Sequence, residues 1–384
     1  MSKARFSILS DDNIPFAKEA FSEFGEVRTM PGPAMTNSDI KACDILLVRS
    51  TIKVDEKLLA GSKVRFVGTA TIGTDHVDEA FLKSKGIRFA SAPGSNALSV
   101  AEYVMGAILE LITARIVTPP DVKVAVIGVG NVGSRVVKKV EALGFKPVLN
   151  DPPLKDKTGD SQFRPLDEIL PLADIVAVHV PLAKSGPYPT YQMVNQEFIE
   201  KMKPGAVFLN ASRGNVVNES VLCKALDSRR ISAAVLDVWA GEPSVALPTL
   251  AHAFIGTPHI AGHSFDGKVR GTEMLYNAVC DLLGTKPKWK MEQALPPPYI
   301  PEVVVPKGDD PYDAALKVVR TIYDVREDDA HLRALNLIAE PHRAGYFDYL
   351  RRYYPPRREF PNTRVIGDAS DPATKMLADA GFKL

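Results

Sequence analysis

The stretch VKVAVIGVGNVG, Val122 to Gly133, decides the fold of this chain. Its first residues carry the β-branched content of a buried parallel strand, and Gly128, Gly130 and Gly133 then open a helical pattern through Arg135, Val137 and Val140. Each glycine has its own task. Gly128 permits the tight turn, Gly130 lets the backbone approach a pyrophosphate, and Gly133 lets helix and strand pack closely, with the anion held by amides at the helix N-terminus. A second apolar run, PVLND, ends on Asp151. A carboxylate there can accept hydrogen bonds from both adenosine ribose hydroxyls and would repel a 2′-phosphate, so the expected cofactor is NAD rather than NADP.

Outward from this unit, apolar runs at Ile175 to Val180, Ala206 to Asn210, Ala233 to Val238 and Phe254 to Gly256 complete a six-strand doubly wound sheet. On the N-terminal side, FSIL, DILLVRS, VRFVGTA and IRFASAP alternate with amphipathic stretches such as Ile14 to Phe24 and Asp55 to Ala60, the pattern of a second, smaller parallel sheet. Ala97 to Ile116 reads as a long apolar helix bridging the two, stopped by Thr118-Pro119-Pro120. The helix Lys268 to Leu283 is expected to return to the first sheet, and the proline-rich segment Pro296 to Pro306 reads as a semi-rigid linker to a third domain. The expected fold is α/β: a Rossmann-type NAD domain (101–262) inserted in a flavodoxin-like substrate domain (1–100 and 263–288), followed by a C-terminal α+β domain (289–384).

Composition narrows the function. The chain has 384 residues, more than one ordinary core holds, with 45% hydrophobic and 24% charged residues. Lys plus Arg (47) nearly balances Asp plus Glu (46), leaving a net charge of +1 and no general attraction to nucleic acid or anionic membrane. Cys43, Cys223 and Cys280 are far apart in no metal-binding pattern, so neither a metal nor a disulfide is expected. The start MSKARFSILSDDN has no apolar signal core, and a cytoplasmic location is expected.

A nicotinamide enzyme that oxidises an alcohol needs a base for the hydroxyl proton, a cation for the substrate, and a surface that fixes the reacting carbon. Arg213, in FLNASRGNVVN, lies just beyond the strand Ala206 to Asn210, on the edge where open α/β sheets bind ligands. Its guanidinium fork suits a carboxylate, although an arginine in such a place can equally be a surface ion pair. His259, in GTPHIAGH, is the best base candidate, with Glu242 of LDVWAGEP as the carboxylate that would orient it. Arg49, at a strand end beside Ser50, is a candidate partner for an anionic substrate group.

The ordered motifs GVGNVG, MKPGAVFLNASRG, LDVWAGEP and TPHIAGH resemble the D-2-hydroxyacid dehydrogenase family. The resemblance implies that Arg213, Glu242 and His259 form the catalytic triad, and that the substrate domain is built from both flanks of the nucleotide domain. It assigns cofactor contacts to Asn131, Val132, Asp151, Ala211, Ser212, Arg213, Asp237 and Gly262, and substrate contacts to Ser50 and Thr71. Two positions depart from the family pattern: His263 stands where a substrate-touching tyrosine is expected, and Val180 replaces a threonine beside the nicotinamide. The segments IYDVREDDAHLR, YFDYLRRYYPPRREF and LADAGFKL resemble the C-terminal dimerisation domain of one branch of the family, which implies a homodimer and a phosphorylated small hydroxy acid as substrate. Oxidation of 3-phosphoglycerate or another D-2-hydroxy acid is an alternative, as is an NAD-responsive binding protein of the corepressor kind. The arginines of the cluster Arg351, Arg352, Arg357 and Arg358 are expected either to be solvated at a helix end or to meet a phosphate.

Overall fold

Alternation of side chains along each strand builds two cores per sheet. The computed structural model describes residues 6–308 and 310–384. Their strands are β1 (Phe6–Asp11), β2 (Gly25–Met30), β3 (Ile45–Val48), β4 (Phe66–Thr69), β5 (Arg88–Ala90), β6 (Lys123–Ile127), β7 (Lys146–Asn150), β8 (Ile175–Val178), β9 (Ala206–Asn210), β10 (Ile231–Leu236), β11 (Ile255–Gly256), β12 (Glu302–Val304) and β13 (Arg364–Ile366). The chain divides into two compact units, one ending at Asn96 and resuming over Ser264–Pro297, the other formed by Ala97–His263 and Pro298–Leu384.

The first unit holds a parallel sheet in the order β2-β1-β3-β4-β5. This is the flavodoxin-like order, which reverses direction between β1 and β3. Successive residues of β3 serve opposite faces: Ile45 and Leu47 join a cluster with Phe21, Tyr276 and Val279, while Leu46 and Val48 join one with Ile40, Leu59 and Leu82. Tyr276 and Val279 come from the helix Phe265–Leu283, whose apolar face covers the sheet. Strand β2, reading GEVRTM, has no buried residue and lies at the sheet edge. Sequence reading misses it because an edge strand needs no apolar run.

In the second unit the parallel order is β11-β10-β9-β8-β6-β7, with an isolated parallel bridge from Leu149 to Phe163 beyond β7. The sheet therefore winds both ways from β6, the doubly wound arrangement expected from the glycine motif. The helix Ala97–Thr113, read above as a bridge, is instead core: all but two of its residues are buried. It packs against the helices Gly133–Ala142 and Pro311–Ile322. The segment after Pro298 covers both faces of this sheet. Leu316, Val319 and Leu377 join one apolar cluster, and Leu332, Leu335 and Phe347 the other. The expected linker contains β12, which pairs in parallel with β13. Arg320 forks both oxygens of the buried Glu110, Nε to Oε1 at 2.6 Å and Nη2 to Oε2 at 2.7 Å, tying the segment to the core helix. No helix among the described residues is long and apolar enough to cross a membrane.

Candidate active site

The glycine turn fits a dinucleotide for reasons of space. Gly128 has φ +85°, and a Cβ there would lie 2.7 Å from the His179 carbonyl oxygen. At Gly133 a Cβ would lie 1.9 Å from the Gly128 oxygen, so helix and turn touch through backbone. Gly130 has nothing within 4 Å of a Cβ position, and Asn131 beside it is exposed. No side chain caps the helix Gly133–Ala142 at Val132, which leaves its N-terminus suited to an anion. Asp151 follows β7 and binds the turn to the next helix: Oδ2 accepts from Val129 N at 2.8 Å and Oδ1 from Leu154 N at 2.9 Å. Each oxygen keeps a second lone pair for a ribose hydroxyl. Val180 abuts the same turn, its Cγ1 3.0 Å from the Gly128 Cβ position.

Arg213, Glu242 and His259 come together around one pocket, with Leu182, Gly214, Asn215, Trp239 and Ala240. Its volume is about 130 Å³. Three strand ends supply the three groups. Beyond β9, Asn210 shapes the turn through Ala211: its Oδ1 accepts from Ser212 N (3.0 Å) and Ser212 Oγ (2.8 Å), and its Nδ2 donates to the Arg213 carbonyl (3.0 Å). Beyond β10, Glu242 folds back so that Oε1 accepts from Trp239 N at 2.8 Å. Oε2 meets His259 Nδ1 at 2.7 Å. Burial pushes the Glu242 carboxyl up, but His259, the Trp239 amide and Arg351 outweigh it and hold the group below its ordinary range. An ionised Glu242 can only accept, so Nδ1 of His259 donates to it and Nε2 is left to face the pocket.

His259 itself has φ +56°, in the left-handed region, a conformation that costs a non-glycine residue about 1–3 kcal/mol. Its backbone is held there, with its N–H donating to the Asp237 carbonyl at 2.7 Å. Asp237, expected as a cofactor contact, is 1% exposed, with both carboxylate oxygens hydrogen-bonded. Oδ1 accepts from Thr257 Oγ1 (2.6 Å) and Ile260 N (2.8 Å), and Oδ2 from Ala261 N (3.0 Å). It shapes the turn leading to Gly262. His263 packs edge-on against Tyr354, ring centroids 5.7 Å apart.

Arg49, Ser50 and Thr71 lie in the first unit, just past the ends of β3 and β4. Thr71 Oγ1 donates to the Gly73 carbonyl at 2.9 Å and lies 2.7 Å from Thr69 Oγ1. Sequence reading missed Lys268, on the helix Phe265–Leu283, because it appeared as an ordinary polar position. Burial, then the charge of Arg49, pushes its ammonium down to about 8. His179, the residue before Val180, is no rival base. Its ring nitrogens are buried without hydrogen-bond partners, and burial pushes it down to about 4. The arginine cluster divides. Arg357 and Arg358 are buried, which corrects the solvated reading for these two, while Arg351 stacks over Phe347 with its charge felt at Glu242.

A doubly wound sheet and a dinucleotide turn ending in an acid are the architecture of an NAD-binding domain, and the same unit brings a histidine–glutamate pair and an arginine to one pocket. Residues 113–261 match the model of the D-isomer specific 2-hydroxyacid dehydrogenase NAD-binding domain, and residues 294–381 match a family described only as a domain of unknown function. Among solved structures, NAD-bound 3-phosphoglycerate dehydrogenase of Entamoeba histolytica is similar in fold at TM-score 0.63 and 22% identity, over 73% of this chain and 96% of that one. D-lactate dehydrogenase of Aquifex aeolicus, complexed with NAD and lactic acid, aligns at TM-score 0.58 and 24% identity, over 72% and 96%. The chain belongs to the D-isomer specific 2-hydroxyacid dehydrogenase family. It is similar over nearly its whole length to erythronate-4-phosphate dehydrogenases. That of Salinibacter ruber is 44% identical over 98% of both chains, and that of Shigella boydii 42% identical over 98% of this chain and 97% of the relative.

Proposed function

We propose that this protein oxidises 4-phospho-D-erythronate to 2-oxo-3-hydroxy-4-phosphobutanoate with NAD, a step in making pyridoxal 5′-phosphate, in the cytoplasm and as a homodimer joined through its C-terminal segment. The observation that carries the reading is the His259–Glu242 pair beside Arg213 in one pocket. The near full-length likeness to erythronate-4-phosphate dehydrogenases selects the substrate.

NAD, when bound, supplies the hydride acceptor. In the proposed mechanism Nε2 of His259 takes the proton of the C2 hydroxyl, and Glu242 stabilises the imidazolium that results. Arg213 pairs with the C1 carboxylate and polarises the carbon that becomes a carbonyl. The turn 128–133, Asp151, Val180, Ala211, Ser212 and Gly262 hold the cofactor, with Asp237 acting through the backbone it shapes. Ser50, Thr71 and His263 are proposed substrate contacts, and Arg49 with Lys268 a cation pair for the phosphate.

Production of NADH from NAD and 4-phospho-D-erythronate, with a 2-oxo acid present to reoxidise cofactor held tightly, tests the reaction. Turnover of 3-phosphoglycerate in its place would move the substrate assignment, and NAD binding without turnover of either would favour the binding-protein alternative. Lys268 gives a further test. Below about 8 it adds positive charge at the proposed phosphate site, and above that it is neutral. The kcat/KM for the phosphorylated substrate, which reports the free enzyme, is therefore expected to fall as pH rises through about 8. In Lys268→Arg, which stays charged, that limb should disappear. A limb that persists in the variant would place the titrating group elsewhere.

A further inference from the structure

We infer that the C-terminal segment is a brace for the loop that carries His259, with Arg357 as its positioning residue; this rests on the catalytic reading of His259. The matched family assigns this segment no function. Three of the residues that would do the work, Asp328, Asp329 and Arg357, are buried and charged, an arrangement that plain apolar packing would not need.

Five points of the segment 250–263 are held from the C-terminal side. Arg333 grips Asp329 through Nε at 2.9 and 3.0 Å, and donates to the carbonyls of Leu250 (3.1 Å) and Ala253 (2.7 Å). Asp329 Oδ1 accepts from Gly256 N at 2.7 Å. Arg357 donates to the Ala261 carbonyl at 3.2 Å and to the Ser99 carbonyl in the core helix. The fifth point is the Tyr354 ring against His263. The brace is itself fixed in place. The Arg357 guanidinium stacks 3.8 Å over the Tyr323 ring, and the hydroxyls of Tyr323 and Tyr354 both donate to Asp328 Oδ2 at 2.9 Å.

Asp237 in turn holds the N–H groups of Ile260 and Ala261, so residue 261 is clamped at both its amide and its carbonyl. His259, two residues earlier, is in the left-handed region. A non-glycine residue stays there only when its surroundings over-determine the backbone. Asp237 supplies one part of that constraint and Arg357 another. Without the second, the loop is expected to relax and carry Nε2 of His259 out of register.

Arg357→Ala and the milder Arg357→Lys, which keeps the charge and loses the planar fork, test this in the full-length protein. A misplacement of about 1 Å can cost about 10²-fold in rate. The expected result is a fall in kcat of about that size for Arg357→Ala, larger than the accompanying changes in KM for the hydroxy acid and in affinity for NAD, which the same loop meets through His263 and Gly262, and partial recovery of kcat on adding guanidinium. Hydrogen exchange of the peptide spanning 257–263 should quicken in both variants, a readout that stands even if the assigned substrate proves wrong. Arg320→Gln is the control, because it loosens the same segment at Glu110 and away from the loop. If Arg320→Gln loses as much kcat as Arg357→Lys at equal loss of Tm, or if exchange at 257–263 is unchanged in Arg357→Lys, the brace is overturned. Should Arg357→Ala fail to fold, Arg357→Lys and Tyr354→Phe decide by the same readouts.

Discussion

His259→Ala is expected to lower kcat by about 10³-fold, within the range that a positioned general base contributes. The imidazole is the group whose geometry is most completely specified. Nδ1 is tied to Glu242 at 2.7 Å, and the backbone is fixed by the N–H to the Asp237 carbonyl at 2.7 Å. Removing the ring takes away the proton acceptor without touching the glycine turn or Asp151, so NAD affinity measured by calorimetry should stay within about twofold; every group that defines the dinucleotide site remains. Glu242 is left with Trp239 N as a donor, so the variant should fold. A kcat within tenfold of the parent would mean that the base is another residue. Loss of NAD binding in step with kcat would instead make His259 a structural part of the cofactor site.

How much of this was legible in the sequence depends on the kind of signal each residue leaves. The strand β6 and its three glycines are a local pattern, and local patterns survive reading in one dimension. Asn210 to Arg213 and His259 could be placed because a residue just past a parallel strand lies on the ligand edge of the sheet whatever the rest does. What escaped was non-local. Asp237 is expected as a cofactor contact, and only its hydrogen bonds to Ile260 and Ala261 reveal it as a former of the turn. Lys268 lies on a helix that the sequence placed correctly, but its environment depends on Arg49, which is distant in sequence. The helix Ala97–Thr113 was read as a bridge because its apolar content could not tell a connection from a core. Its burial on all sides became evident only with the segment after Pro298 packed against it.

The second large effect lies beside Arg213, at a residue without a side chain. A Cβ on Gly214 would lie 2.0 Å from both the carbonyl carbon and oxygen of Trp239 and 2.5 Å from Ala240 N. These are backbone atoms, and no rotamer change can relieve them. The turn bearing Arg213 is therefore in main-chain contact with the turn bearing Glu242. Neither can retreat easily, since both leave strands paired in register, Asn210 opposite Leu236. Gly214→Ala must push the two turns apart by about 1 Å or more, because ordinary contacts to a methyl carbon begin near 3.5 Å. That displacement acts directly on the spacing between the carboxylate-binding guanidinium and the histidine–glutamate pair, and a fall in kcat/KM of about 10²-fold or more is expected. Gly130→Ala separates this effect from general damage to the fold. Nothing lies within 4 Å of its Cβ position, so its Tm should match the parent and its loss should appear in NAD affinity alone. If Gly214→Ala keeps kcat/KM within threefold of the parent, the two turns can move independently, and the close approach of Gly214 to Trp239 plays no part in setting the distance between Arg213 and His259.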